Sequence, residues 1–272
     1  LSNYCISPSP LMTASHMAAQ TKQIKVGPAV VVLPFYEPLR LAEDICLADQ
    51  LSNGRLVLGV GTGYQPREFK KFGFEINDRL ARGLEIWDVI QQGVYSGVIN
   101  YQGEHVKIED AALSIRPVQD QIRTFAVGNA PAIRQKMIDY AACPLTTPAI
   151  GPNTLIHTAR SLYKETRAEN GLQGEEFPFA VQRYVYVAEN KDDALNAAEQ
   201  VLIHARMASN MRQPDPAMNG ADLKIIPFDK EPSIDAILER AIIGSSEEVT
   251  ERIVAEAQEF GITHLSIFMQ IA

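Results

Sequence analysis

The sequence predicts an α/β protein whose strands form a parallel sheet. Strand and helix candidates alternate along the chain, and residues 30–64 contain a strand, a helix and a second strand. A helix between two strands returns the chain to the same end of the sheet, so strands joined in this way run parallel. The strand candidates are continuous apolar runs, which is typical of strands that are buried on both faces.

Prolines mark the first elements. A helix is predicted over Pro10–Gln20 and another from Pro38, because the first helical position needs no backbone N–H. The second helix ends in the polar turn at residues 52–55. Strands are predicted over residues 24–33 and 56–60.

The later part of the chain continues the alternation. The predicted elements are a helix over residues 78–93, a hairpin near 98–108, a strand at 125–127, a helix from 131, a strand near 145, a helix over 153–170, a strand over 179–188 and a helix around 192–206. The last helix begins at a capping box formed by Ser245 and Glu248 and ends at Gly261. With a final strand over residues 264–270, the sequence contains six main strands.

The helix predicted over residues 78–93 carries a row of charges. Arg79, Arg82 and Glu85 lie three residues apart. Residues with this spacing are neighbours on one face of a helix. The spacing therefore predicts a row of ion pairs on the helix surface.

Residues 209–233 interrupt the alternation. This segment has few apolar residues and contains four prolines, at positions 214, 216, 227 and 232. A loop longer than about 15 residues in a compact domain is usually functional or disordered. The segment therefore predicts either a mobile lid or a disordered surface insertion, and the sequence leaves both open.

The composition excludes several classes of partner. Apolar residues make up 46% of the chain and charged residues 21%, which is typical of a globular protein with a sizeable core. The net charge is −8 and there is no cluster of basic residues, which argues against a nucleic-acid or anionic-membrane partner. No apolar run approaches the roughly 18 residues of a membrane span, so no membrane partner is predicted.

Cysteine and histidine are scattered along the chain. The three cysteines, Cys5, Cys46 and Cys143, have neither metal-ligand spacing nor the pattern of a disulfide framework, which favours a cytoplasmic location. The five histidines form no HxH or HxxxH pair. No metal site is therefore predicted.

A glycine-rich loop, Gly59 to Tyr64, follows the strand over residues 56–60. Its GxGxG spacing differs from the GxGxxG of dinucleotide-binding folds, and Pro66 precedes the next helix. The loop fits better at the carboxyl end of a barrel strand, where the active sites of barrel enzymes lie. Glycines at this position would let a flat ring approach the backbone.

A second candidate site lies at residues 125–131. A strand ends, three small residues turn the chain, and a helix begins with Pro131 in its first turn. Backbone N–H groups and the positive end of the helix dipole make such a corner suitable for an anion. An ordinary strand–helix turn would use the same residues, so both interpretations stay open.

The order of these segments resembles the bacterial-luciferase-like flavin monooxygenases. The resemblance rests on LPFYEPLR at residues 33–40, ADQLSNGR at 48–55, the glycine-rich loop, and Phe72-Gly73. It implies an eight-stranded TIM barrel, (β/α)8, whose first two strands and last helix lie outside this chain. Residues 1–272 would then be one barrel domain, incomplete at both ends, with residues 209–233 as a lid. Taken without the resemblance, six strands could also form a complete open sheet.

The resemblance implies a binding site for FMN. Gly61, Thr62 and Tyr64 would lie beside the isoalloxazine ring. The light-emitting members have a reactive cysteine and a phosphate-binding arginine at positions 61 and 62. Because this chain has glycine and threonine there, we do not expect light emission from a long-chain aldehyde.

The resemblance also places the FMN phosphate at the second candidate site. The positions that match are Gly128, Asn129 and Ala130. In the family, the pair that matches Ala29 and Val30 is joined by a non-prolyl cis peptide against the flavin ring, so we predict a cis bond here. The family's catalytic histidine belongs to a segment that precedes this chain, which leaves the catalytic residues of this chain unassigned.

The implied activity is a flavin-dependent monooxygenase reaction. Reduced FMN from a separate flavin reductase would act as co-substrate with molecular oxygen to oxygenate a small organic substrate. The resemblance also implies a dimer that pairs through helices such as the one from Pro38, and we expect a homodimer. Two alternatives remain: hydride transfer with a deazaflavin cofactor, and a non-catalytic flavin-binding or partner subunit.

Overall fold

The computed structural model describes residues 8–268. The chain divides into two compact units, residues 1–143 and 144–272, and each is described in turn. The expectation that residues 1–272 form a single barrel domain stays a prediction. The proposed end of the last strand at residues 269–270 lies outside the described residues.

The first unit alternates helices and strands as predicted. Its α-helices and strands are α1 (Pro10–Gln20), β1 (Val31–Val32), α2 (Pro38–Ser52), β2 (Leu58–Gly61), α3 (Pro66–Phe72), α4 (Arg79–Gln91), β3 (Val98–Gln102), β4 (Lys107–Ala112), β5 (Thr124–Ala126) and α5 (Pro131–Asp139). The proline starts of α1 and α2 are confirmed. The predicted hairpin is β3 with β4, which pair antiparallel.

Strands β1, β2 and β5 are parallel neighbours, with β2 in the middle. Val32 pairs with Gly61, and Val60 pairs with Ala126. All residues of β2 are buried, as expected for a strand that is covered on both faces. The carboxyl ends of the three strands consequently lie side by side.

The strand predicted over residues 24–33 is shorter than expected. Only Val31–Val32 forms a regular strand, and an isolated bridge joins Val26 to Leu56. Pro28 lacks the N–H group that a continuous ladder needs. The segment nevertheless follows β2, because the Gly59 N–H donates to the Pro28 carbonyl oxygen at 2.9 Å.

The row of ion pairs predicted on α4 is wrong. Arg79 and Arg82 donate to backbone carbonyls at 3.3 and 3.0 Å. Glu85 accepts hydrogen bonds from the backbone N–H groups of residues 104–106 at 2.8–2.9 Å. The tight turn of the β3–β4 hairpin leaves three N–H groups that need an acceptor, and Glu85 satisfies them.

The core of the first unit lies between the helices and the sheet. Leu41 and Ile45 of α2 and Ile86 and Ile90 of α4 are almost completely buried. These pairs lie four residues apart, so each helix directs one apolar face inward. Burial of this kind supplies most of the stability of such helices.

The second unit is also built on parallel strands. Its elements are β6 (Cys143–Ala149), α6 (Thr154–Glu169), β7 (Ala180–Val187), α7 (Lys191–Met211), β8 (Met218–Asn219), β9 (Asp222–Leu223), α8 (Ile234–Arg240), β10 (Ile242–Gly244), α9 (Ser246–Phe260) and β11 (His264–Phe268). Strand β7 pairs in parallel with β6, β10 and β11. The capping box of Ser245 and Glu248 is confirmed at the start of α9.

One parallel strand, β10, was not predicted. It has only three residues, Ile242, Ile243 and Gly244, and lies directly between two helices. A run this short has no periodicity that distinguishes a strand from a helix end. The α/β class and the parallel arrangement are confirmed, while closure of the strands into a barrel stays a prediction.

The insertion at residues 209–233 has a defined structure. Its short hairpin, β8 with β9, is held by the buried Asn210, whose amide donates to the carbonyls of Ala217 and Lys224 at 2.9 and 3.0 Å. Glu231 pairs with Arg206 of α7, 2.6 Å between Oε1 and Nη2. The insertion is anchored at both ends, and its service as a lid stays a prediction.

Over residues 8–268, no helix is both long and apolar enough to cross a bilayer.

Candidate functional site

The two segments predicted to bind a ligand open on the same edge of the first unit's sheet. The glycine-rich loop leaves β2 at Gly61, and residues 127–130 leave β5 after Ala126. The N–H of Val127 donates to the Val60 carbonyl at 3.0 Å, which keeps the two segments together past the ends of their strands. Ligands of open parallel sheets bind beyond the carboxyl ends of the strands.

Bare backbone lines the part of this edge next to β1. A Cβ atom at Gly59 would lie 2.4 Å from the Pro28 carbonyl oxygen, and one at Gly61 would lie 2.9 Å from Cγ2 of Val30. The peptide bond between Ala29 and Val30 is cis, as predicted. Residues 29–30 and Gly61 therefore lie against each other, with no room for a larger side chain at position 61.

The rest of the glycine-rich loop packs on neighbouring helices. The Thr62 methyl lies against α4, where a Cβ at Gly83 would be 3.0 Å from it. Gly63 has a φ of +75°, and a Cβ there would lie 3.1 Å from the Phe69 ring. Tyr64 is 40% exposed. The structure thus brings Gly61 and Thr62 to the edge, while Tyr64 lies at the surface.

The corner between β5 and α5 has the donors of an anion site. Ala130 is the N-cap of α5 and provides no side-chain cap, and no acid lies in the first turn of α5. Within the described residues, the N–H groups of Gly128, Asn129 and Ala130 donate no hydrogen bond. Gly128 has a φ of +140°, a conformation that favours glycine.

These residues fit a flat ligand that carries a phosphate. Gly61 presents only backbone, and the Val30 side chain occupies the space that a Cβ there would need. The corner at residues 128–130 supplies backbone donors and the positive end of the α5 dipole, which favour a phosphate. The described residues contain no cluster of three histidine, cysteine or acidic side chains that could hold a metal.

Glu68 is a buried acid that the sequence analysis missed. It lies in α3, directly after the glycine-rich loop, and only 8% of its surface is exposed. Burial raises the pKa of its carboxyl above the usual range, opposed in part by Arg67. No sequence signal distinguishes it, since its neighbours in α3 are a mixture of basic and aromatic residues. Its burial results from the packing of other parts of the chain around α3, which the local sequence does not specify.

Replacing Glu68 with glutamine is expected to stabilise the protein at pH 7 and to change little at pH 4. A carboxyl whose pKa is higher in the folded than in the unfolded state binds its proton more tightly when folded. Its contribution to the free energy of unfolding therefore decreases as the pH rises above its unfolded pKa. Glutamine removes that dependence. Thermal unfolding at both pH values measures the effect.

The matched control is Glu75→Gln, because Glu75 is exposed and follows α3 in the chain. Its effect on stability should be small at both pH values. An equal gain from both substitutions, or a loss at pH 7 from Glu68→Gln, would contradict the burial argument.

Parallel strands joined by helices define the class of α/β proteins, whose ligands bind beyond the carboxyl ends of the strands. Comparison with known proteins identifies the family within this class. The family model described as luciferase-like monooxygenase matches residues 1–264. The chain belongs to that family, and it is an oxidoreductase.

The chain is similar to several proteins of known sequence. It is 27% identical over 272 residues to the uncharacterized protein y4vJ of Sinorhizobium fredii, which covers 99% of this chain and 77% of that protein. It is 24% identical over 196 residues to an alkanal monooxygenase alpha chain of the Kryptophanaron alfredi symbiont, covering 72% of this chain and 55% of that one. It is 22% identical to the oxygenase component of the trigonelline monooxygenase of Acinetobacter baylyi, and the match covers 93% of this chain and 72% of that protein.

Solved structures show the same fold. Monooxygenase RslO1 of Streptomyces bottropensis superposes with a TM-score of 0.79 at 22% identity, over 96% of this chain and 75% of that chain. The oxygenating constituent of a diketocamphane monooxygenase from Pseudomonas putida, in complex with FMN, superposes with a TM-score of 0.72 at 19% identity, over 98% of this chain and 78% of that chain. A coenzyme F420-dependent reductase of Methanopyrus kandleri superposes with a TM-score of 0.72 at 19% identity, over 96% of this chain and 82% of that chain.

Proposed function

We propose that this chain is the oxygenase component of a two-component flavin-dependent monooxygenase. It would use reduced FMN from a separate reductase, together with molecular oxygen, to oxygenate a small organic substrate. The observation that carries the proposal is the shared edge of β1, β2 and β5, where bare backbone adjoins a corner of backbone donors. In a luciferase-like family member, this edge fits a flavin ring and its phosphate.

Each part of the edge has a separate task in this proposal. Ala29, Val30, Gly61 and Thr62 would form the wall beside the ring, and Tyr64 would cover its outer side. The N–H groups of residues 128–130 would hold the phosphate. The flavin supplies the redox chemistry when bound, while the protein orients it and restricts water. The anchored insertion at residues 209–233 would serve as the lid.

The relatives support a flavin and a reductase partner. The trigonelline enzyme is named as flavin-dependent and as an oxygenase component, which implies that another protein supplies the reduced flavin. The diketocamphane enzyme was solved with FMN.

A homodimer in the cytoplasm completes the proposal. On helix α2, Leu47 and Leu51 are 45% and 59% exposed, respectively. These residues lie four apart and so share one face of the helix. Such a pair of exposed leucines suits a contact with a second copy. The reducing cytoplasm suits Cys46 and Cys143, which are buried and form no disulfide.

The test is an anaerobic titration of the full-length protein with reduced FMN, followed by admission of air. Saturable binding and a return of oxidised-flavin absorbance much slower than for free reduced FMN would support the proposal. Binding without any change in the reoxidation rate would favour a flavin carrier or partner subunit. Absence of binding would contradict the FMN assignment.

Deazaflavin is the second cofactor to test, because two neighbours of the same fold are F420-dependent. A parallel titration with F420 distinguishes the cofactors. Tight binding of FMN with no binding of F420 is expected. The reverse result would assign the chain to hydride transfer.

A further inference from the structure

We infer that Arg134 makes the flavin site selective for a phosphorylated flavin. The inference rests on the proposed function and adds one residue to it. Arg134 lies in the second turn of α5, and its Nη1 donates a hydrogen bond to the backbone carbonyl of Asn129. Helix side chains tilt toward the N-terminus, which carries this guanidinium back to the corner at residues 128–130.

The corner needs a positive charge that its own residues do not provide. Neither residues 59–64 nor residues 125–131 contain lysine or arginine. The helix dipole contributes only about half an elementary charge, whereas a phosphate monoester carries nearly two negative charges at neutral pH. A cationic side chain at the corner would supply the difference, and Arg134 is bonded to the corner's backbone.

The bond to Asn129 also removes an unfavourable group. A carbonyl oxygen that faced the corner would repel a phosphate. Arg134 donates to this oxygen and so places a cationic donor beside it. A guanidinium has five N–H donors in a planar fork, and it can therefore bind the carbonyl and a phosphate oxygen together.

The other cation of α5 is committed elsewhere. Lys136 forms an ion pair with Asp88 of α4. The same carboxylate accepts hydrogen bonds from Tyr140 and from Tyr101, the latter at 3.1 Å. Three donors on one carboxylate hold Lys136 against α4. Lys136 therefore offers a control: it carries the same charge on the same helix but is directed to another partner.

The experiment compares FMN with riboflavin, which has the same ring and no phosphate. Dissociation constants of both oxidised flavins are measured by fluorescence quenching for the full-length wild type, Arg134→Gln, Arg134→Lys and Lys136→Gln. Arg134→Gln should weaken the binding of FMN about 10- to 100-fold and leave the dissociation constant of riboflavin within about twofold of the wild type. Arg134→Lys should recover part of the lost FMN affinity. Lys136→Gln should change the dissociation constants of both flavins by the same factor.

Phosphorus NMR of bound FMN gives a readout that is independent of activity. The guanidinium should lower the second pKa of the bound phosphate in the wild type, because a nearby positive charge favours the dianion. In Arg134→Gln this pKa should rise toward the value of free FMN.

Four results would overturn the inference. An equal loss of affinity for both flavins in Arg134→Gln would indicate that Arg134 only supports the fold. A wild type that binds FMN and riboflavin equally would show no selectivity for the phosphate. A Lys136→Gln variant that loses FMN selectivity as strongly as Arg134→Gln would show that the effect is not specific to Arg134. A wild type that binds neither oxidised flavin would overturn the inference too, and the titration with reduced FMN then shows whether the proposed function fails with it.

Discussion

Asp49→Ala is expected to lower the free energy of unfolding by about 3–5 kcal/mol. Asp49 lies in α2 and is fully buried. Its carboxylate accepts hydrogen bonds from the backbone N–H groups of Val118 and Gln119 at 2.7 and 2.9 Å, and from the side-chain amide of Gln119 at 2.7 Å. Alanine would remove the acceptor of both backbone N–H groups and of one Gln119 amide hydrogen, although the amide nitrogen keeps its bond to the Leu56 carbonyl at 2.9 Å. A buried donor that is left unsatisfied costs about 1–3 kcal/mol.

Urea denaturation followed by circular dichroism measures this loss. Glu43→Ala is the matched control, because Glu43 is an acid on the same helix that pairs at 2.9 Å with the largely exposed Arg40. An exposed pair of this kind contributes at most about 1 kcal/mol. Equal destabilisation by the two substitutions would show that the buried carboxylate does not hold the segment around residue 118.

Gly128→Ala is expected to weaken FMN binding at least about tenfold, because the corner between β5 and α5 would have to change shape. Backbone conformations that only glycine adopts easily cost other residues about 1–3 kcal/mol, and Gly128 has a φ of +140°. A Cβ there would also lie 2.5 Å from Cδ1 of Ile133. The N–H groups proposed to hold the phosphate would therefore move. Calorimetric titration with FMN measures the change.

Gly73→Ala separates the effect on the site from the general cost of a left-handed residue. Gly73 ends α3 with a φ of +77°, and a Cβ there would meet nothing within 4 Å. This substitution should lower stability by about 1 kcal/mol and leave FMN affinity unchanged. If Gly73→Ala weakened FMN binding as much as Gly128→Ala does, the loss of affinity in Gly128→Ala would reflect lower overall stability rather than a change in the corner between β5 and α5.

Much of the fold was predictable because its signals are local. Pro10 and Pro38 begin α1 and α2, and Ser245 with Glu248 caps α9, as the sequence predicts. Such signals depend on residues within one helical turn of each other, so no distant contact can easily override them. The apolar runs likewise identified parallel strands such as β2, whose residues are all buried, which is why the α/β class was correct.

The site could be anticipated only in part. Glycine at positions 61 and 128 and proline at 131 mark places where the backbone must turn or approach a neighbour, and the structure places these segments at one edge. The cis bond at residues 29–30 was predicted from the family resemblance and not from local chemistry. The roles of these residues in binding FMN stay predictions.

One error came from a partner that lies far away in the sequence, and two came from local features. Glu85 matched the spacing of an ion row with Arg79 and Arg82, yet it binds the turn at residues 104–106. The strand expected over residues 24–33 is interrupted at Pro28, and β10 was missed because three residues carry no periodicity. For Glu85, the pattern along the chain was compatible with more than one set of partners.

The sequence by itself determined where several helices begin, which runs form strands, and which family the chain resembles, because these properties depend on near neighbours and composition. Only the tertiary structure decided that Glu68 is buried after the glycine-rich loop, that Asp49 binds the chain near residue 118, and that Arg134 reaches Asn129 while Lys136 pairs with Asp88. The strength of a charge or hydrogen bond depends on burial and on which groups face each other. Those are properties of packing between elements.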